Sequence, residues 1–134
     1  MNQKLYRKRH CVYTLNYHFV WIPRYRKAIL GRTIADRMKL IFADIAEQYG
    51  FTILACEIMP DHIHLFVSAP PRFAPSEIVR LFKGISSRKI MQEFPNLGYQ
   101  YAHRSLWAES YYVGTAGHTS TETIRQDIEE NQGV

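Results

Sequence analysis

Two runs of alternating character flank Pro60-Asp61 and predict a hairpin, with strands at 51–59 and 62–69 joined by a tight turn. In the second run Ile63, Leu65 and Val67 fall on one face, which reads as the buried one, and His62 and His64 fall on the other. Upstream, residues 11–22 are rich in aromatic and β-branched types and end at Pro23, which predicts one long strand. The period then becomes helical: Ile34, Met38, Ile41, Phe42, Ile45 and Tyr49 make one stripe, Thr33 with Asp36 resembles a capping box, and Gly50 closes the helix.

A second helix is expected over 76–94, with Ile78, Leu81, Phe82 and Ile85 inward and Arg80, Lys83 and Ser87 on another face. A strand at about 105–113 follows, then Gly114 and Gly117 as a hinge, then a short helix from Thr119 or Ser120 to about Asn131. The order β-α-β-β-α-β plus a final helix is that of an α+β, split βαβ (ferredoxin-like) antiparallel sheet with helices on one face, one domain over 1–134.

Composition narrows the partners. The 134 residues carry a net charge of +5, with basic residues crowded at Lys4, Arg7, Lys8 and Arg9, again at Arg24, Arg26 and Lys27, and again at Arg80, Lys83, Arg88 and Lys89. Tyrosines lie between these patches, a pattern that suits nucleic acid better than a membrane, although a basic, soluble surface alone would also produce it. Two cysteines, Cys11 and Cys56, with no C-x-x-C pair and no secretory signal fit a reducing interior and exclude zinc-finger and thioredoxin readings. The longest apolar run is too short to cross a bilayer, so a soluble cytoplasmic protein is expected.

The histidine pair carries the most specific chemistry. Positions i and i+2 of a strand aim two imidazoles the same way, which makes half of a divalent metal site; the polar face of a half-buried sheet is the alternative. Asp61 reads as a turn residue and Glu57 as a partner that could orient an imidazole. His18 reads as a packed or surface histidine rather than a ligand. Arg24, Arg26, Lys83 and Arg88 are candidate phosphate contacts, with a solvated face as the alternative for the helical pair.

Several motifs together carry a family resemblance. Pro60-Asp61-His62-Ile63-His64-Leu65, Tyr17-His18-Phe19-Val20-Trp21 with Tyr25-Arg26, Leu106-Trp107, and Tyr111-Tyr112-Val113-Gly114-Thr115 resemble, in this order and over essentially the whole chain, the small HUH tyrosine transposases of IS200-like "peel-and-paste" insertion sequences. The resemblance implies that His62 and His64 bind Mg²⁺ or Mn²⁺. It also implies a homodimer that recognises hairpin ends of single-stranded DNA, pairs edge strands and completes each active site with the partner's last helix.

In that family a tyrosine on the last helix, just before Ile-Glu, attacks the DNA. The matching segment is Ile124-Arg125-Gln126-Asp127-Ile128-Glu129, so the nucleophile position falls on Asp127, and no tyrosine follows Tyr112. The family's third metal ligand, an amide one turn further on, falls on Asn131, with Gln132 in reserve; a solvated helix end is their other reading. Two functions follow: an enzyme that cuts and rejoins single-stranded DNA, or a non-catalytic DNA-hairpin-binding protein derived from one. A water-dependent nuclease is a weaker third, because no base for that water can be identified.

Overall fold

The apolar stripe of the first long helix decides how the layers meet. In the computed structural model, which describes residues 5–102 and 104–115, that helix is α1 (Arg32–Tyr49), and Met38, Ile41, Phe42 and Ile45 are buried along it. It starts two residues earlier than the Thr33–Asp36 pair suggests: Gly31 is the N-cap, with no capping side chain, and its carbonyl accepts from the Ala35 N–H at 2.8 Å. Its end is as expected, at Gly50 in the left-handed region with φ 76.

The stretch 11–22 is two strands rather than one. An N-terminal hairpin pairs β1 (Tyr6–Lys8) with β2 (Cys11–Tyr13), and the chain then enters the main sheet as β3 (Asn16–Trp21). The break at Thr14–Leu15 lets β2 pair with β1 while β3 turns to new neighbours, a choice made by partners far along the chain. After α1 come β4 (Thr52–Met59) and β5 (His62–Ser68), joined at Pro60-Asp61 as expected, with a bulge between Ile53 and Ala55.

Helix α2 (Pro75–Glu93) and a short α3 (Pro95–Gln100), which the sequence pattern does not predict, lead to β6 (Tyr112–Thr115). The last strand is therefore shorter and later than the expected 105–113. Residues Leu106 and Trp107 are instead buried in the core, and Trp107 makes only an isolated bridge to Pro23. Two buried serines hold them there: the Trp107 indole N–H donates to Ser86 Oγ at 3.0 Å, and Ser87 Oγ accepts from the Leu106 N–H at 2.8 Å. Ser87 thus faces the core and not the outer face of α2.

The main sheet has the order β4-β5-β3-β6 with every neighbouring pair antiparallel, the order of a split βαβ fold. Phe19 and Trp21 of β3 and Ile63, Leu65 and Val67 of β5 meet the helices in one core. Aromatic edge-to-face contacts lock the layers, with Phe42 on Phe82 at 5.4 Å between ring centroids and Trp21 on Trp107 at 5.9 Å.

Candidate metal centre and nucleic-acid interface

The pleat that sends Ile63 and Leu65 into the helical core sends His62 and His64 to the opposite face, with ring centroids 4.6 Å apart. Register places Val20 on one side of His64 and Glu57 on the other, while Met59 stands across from His62. Both rings are withdrawn from solvent: the His62 side chain is 12% exposed and His64 is fully buried.

Asp61 does more than make the turn. Its Oδ1 lies 2.7 Å from His62 Nδ1, where a carboxylate accepts from an Nδ1–H and so favours the tautomer with its lone pair on Nε2. His62 Nε2 and both ring nitrogens of His64 are buried with no hydrogen-bond partner among the described residues. An unsatisfied buried polar atom costs about 1–3 kcal/mol, so three together are a sign that a ligand belongs there. Burial, with His62 as a smaller cause, pushes the His64 imidazole down to about 4, so at neutral pH it is in the uncharged form that a metal requires.

These donors fit a divalent cation, though they do not complete its shell. No cluster of three or more histidine, cysteine or acidic side chains suited to a metal exists among the described residues. Asp127, Asn131 and Gln132, the positions that the sequence nominates for nucleophile and third ligand, lie outside the described residues.

The neighbouring row of the same face is packed. His18 stacks on Phe66 at 5.8 Å and meets the Tyr112 ring edge-on at 5.1 Å, in keeping with a packed histidine. Gly114 lies in β6 opposite His18 rather than acting as a hinge. A Cβ there would come within 2.5 Å of His18 Nε2 and 2.6 Å of the Tyr112 hydroxyl, so only glycine fits. The same contact shows the Tyr112 hydroxyl lying over Gly114 and the His18 row, one row away from His64. Cys56 is no rival nucleophile, since burial raises its thiol to about 12.

The basic residues divide into several tasks. Lys83 Nζ donates to the carbonyls of Ala108 at 2.7 Å and Glu109 at 3.2 Å, clamping the loop before β6, and burial lowers its pKa. Arg24 Nε donates to the Ser105 carbonyl at 3.0 Å. Arg88 stands exposed on α2 beside Arg104, which the sequence reading did not single out. The Arg26 side chain is outside the described part of the structure. Asp61, which the sequence marks as a turn residue, also contacts the His62 ring. Its place just before a strand-borne histidine was the available signal.

Known proteins resemble this chain in sequence and fold. The family model "Transposase IS200 like" matches residues 11–131. The ISDra2 transposase TnpA of Deinococcus radiodurans is 37% identical over 118 residues, covering 88% of this chain and 84% of that protein. The transposase for insertion sequence element IS200 of Salmonella typhimurium is 29% identical over 126 residues, covering 92% of this chain and 83% of that one.

Among solved structures, one from Deinococcus radiodurans, described as a candidate transposase, superposes with a TM-score of 0.77 at 37% identity over 93% of this chain and 96% of that one. A REP-associated tyrosine transposase bound to a REP hairpin shares the fold, with a TM-score of 0.59 at 15% identity over 92% of this chain and 68% of that one. With a family model spanning nearly the whole chain and relatives matched over most of their own length, this chain belongs to the IS200-like transposases.

Proposed function

We propose that this protein acts on single-stranded DNA with hairpin ends, as a homodimer, and that His62 and His64 hold Mg²⁺ or Mn²⁺ at the scissile phosphate. The observation that carries this reading is the pair of buried imidazoles with three ring nitrogens unpartnered among the described residues on one sheet face. A bound divalent cation would supply neutralisation of the charge that builds on the phosphoryl oxygens. The chain's own residues prepare for that: Asp61 fixes the His62 tautomer, and burial keeps His64 neutral. Asn131, or Gln132 in its place, is proposed as the third donor, with Arg24, Arg26 and Arg88 along the phosphates.

Asp127 decides between two outcomes. A tyrosine would store the energy of the broken phosphodiester as a phosphotyrosine, whereas an aspartate would form an acyl phosphate prone to hydrolysis. Reversible cutting and joining is therefore expected to be lost, with hairpin binding retained. Asp127, standing where the resemblance expects that tyrosine, is the residue on which the two readings part.

The test is incubation with labelled single-stranded hairpin DNA and Mn²⁺. The chain itself should bind and form no stable adduct; Asp127→Tyr should form one, and adding His64→Ala should remove it. An adduct from the unaltered chain would refute the assignment of Asp127 and turn attention to Tyr111 and Tyr112. Dimerisation through the sheet edges, β4 and β6 in the described sheet, is expected because unpaired strand edges invite pairing. Light scattering that gives a monomer at micromolar concentration would overturn it.

A further inference from the structure

Strain and exposure coincide where the turn Arg24–Arg26 meets Tyr101 and Ser105. Among the described residues the non-glycine positions with positive φ are Tyr25, at 66, and Ala102, at 50. A left-handed non-glycine residue costs about 1–3 kcal/mol. Burying the Tyr25 ring does not offset this cost, because Tyr25 is 69% exposed. What the conformation achieves is to lay that ring parallel on Tyr101, centroids 6.2 Å apart and planes within 12°.

The support beneath the ring is firm. Tyr101 is buried, its hydroxyl donates to the Arg24 carbonyl at 3.4 Å, and its carbonyl accepts from the Arg104 N–H at 2.9 Å. Arg24 in turn donates from Nε to the Ser105 carbonyl. Arg104 and Ser105 also border a cleft of about 520 Å³ against α2, whose other lining includes Gly84, Arg88, Met91 and Gln92 and, among the described residues, no acidic side chain.

Gly84 adds an independent observation. It lies inside α2, where glycine costs the helix about 1 kcal/mol relative to alanine, yet a Cβ built there meets nothing within 4 Å. Packing does not require glycine at this position. Its missing side chain keeps the cleft open.

We propose that Tyr25, backed by Tyr101, and the adjoining arginine cleft form a binding surface for unpaired DNA, with one base stacked on the exposed Tyr25 ring and neighbouring phosphates on Arg88 and Arg104. The proposal deepens the DNA-acting reading above and rests on it. An unstacked base has a free face to offer a ring, whereas a duplex has none along its length, so the surface selects single strands. Two guanidinium groups with no carboxylate among the described lining residues suit phosphates and disfavour a basic or purely apolar partner.

The experiment measures binding of a fluorescein-labelled thymidine 12-mer, a blunt hairpin and a blunt duplex by anisotropy, with thermal melts of every variant. Tyr25→Asn, which tolerates the left-handed backbone, should bind the 12-mer roughly 5- to 100-fold more weakly, the range for one lost base stack, while Tyr25→Phe keeps the affinity. Gly84→Leu, at an open helical position, should stay folded and lose a similar factor. Arg104→Ala should lower the salt dependence by about one phosphate contact.

If Tyr25→Asn fails to fold, Gly84→Leu decides. If the unaltered protein binds hairpin and 12-mer and both Tyr25→Asn and Gly84→Leu match it within about twofold, this surface is refuted and the transposase reading stands. Equal losses for Tyr25→Phe and Tyr25→Asn would refute stacking. If the unaltered protein binds none of the DNAs, both readings fall.

Discussion

The two faces of β5 are equally buried and chemically opposite. Ile63, Leu65 and Val67 on the helical side and His64, Phe66 and Ser68 on the other are all almost fully withdrawn from solvent. On the first face every buried atom has apolar neighbours; on the second, His64 has two ring nitrogens with no partner and Ser68 a hydroxyl with none. Burial by itself therefore does not mark a core. The difference separates a face whose burial is satisfied from one that carries an energetic cost.

Metal binding should separate the faces most sharply. His64→Ala should abolish Mn²⁺ binding in a titration calorimeter, because one imidazole cannot hold the ion that two share. Leu65→Ala, its neighbour in sequence, should leave that binding in place while the fold survives. It should lower stability by about 2–5 kcal/mol in a denaturant melt, as large-to-small core changes do. His64→Leu sharpens the contrast: removing two orphaned nitrogens should raise the melting temperature although the site is lost. A fall as large as that of Leu65→Ala would mean that His64 belongs to the core after all.

Smaller effects test the supporting shell. Asp61→Asn should weaken Mn²⁺ binding about 10- to 100-fold with little change in stability, since it loosens the His62 tautomer but removes no ligand. Without metal, stability should depend on pH through His64. Its folded value of about 4 lies below the ordinary 6.5, so the unfolded chain binds the proton first. The stability linked to this group is present above about pH 6.5 and lost as pH falls toward 4, so melts at pH 7 and pH 5 should differ by several degrees. His64→Leu should flatten that dependence.

The local elements were largely legible because short-range physics sets them. The stripe from Ile34 to Tyr49, the glycine at its end, the Pro60-Asp61 turn and the alternation from His62 to Val67 all reflect periods of 3.6 and 2 that need no distant partner. The same alternation placed His62 and His64 together, and charge counting drew attention to Arg88.

Other features depended on residues far apart in sequence. Whether 11–22 forms one strand or two depends on β1 pairing with β2 and on β5 and β6 flanking β3. Trp107 sits in the core and not in a strand because Ser86 and Ser87, some twenty residues earlier, accept its indole N–H and the Leu106 N–H. Lys83 was expected at a phosphate and is held by the 108–110 loop, and the Tyr25 platform exists only because Tyr101 arrives beneath it. Sequence alone determined that this chain has a helix–strand order of this kind and two histidines on one strand face, since both arise within a few residues. Which polar groups are satisfied, which glycine is hemmed in and which lysine is free to meet DNA were decided by tertiary contacts, because hydrogen bonding and close packing are settled only when distant segments meet.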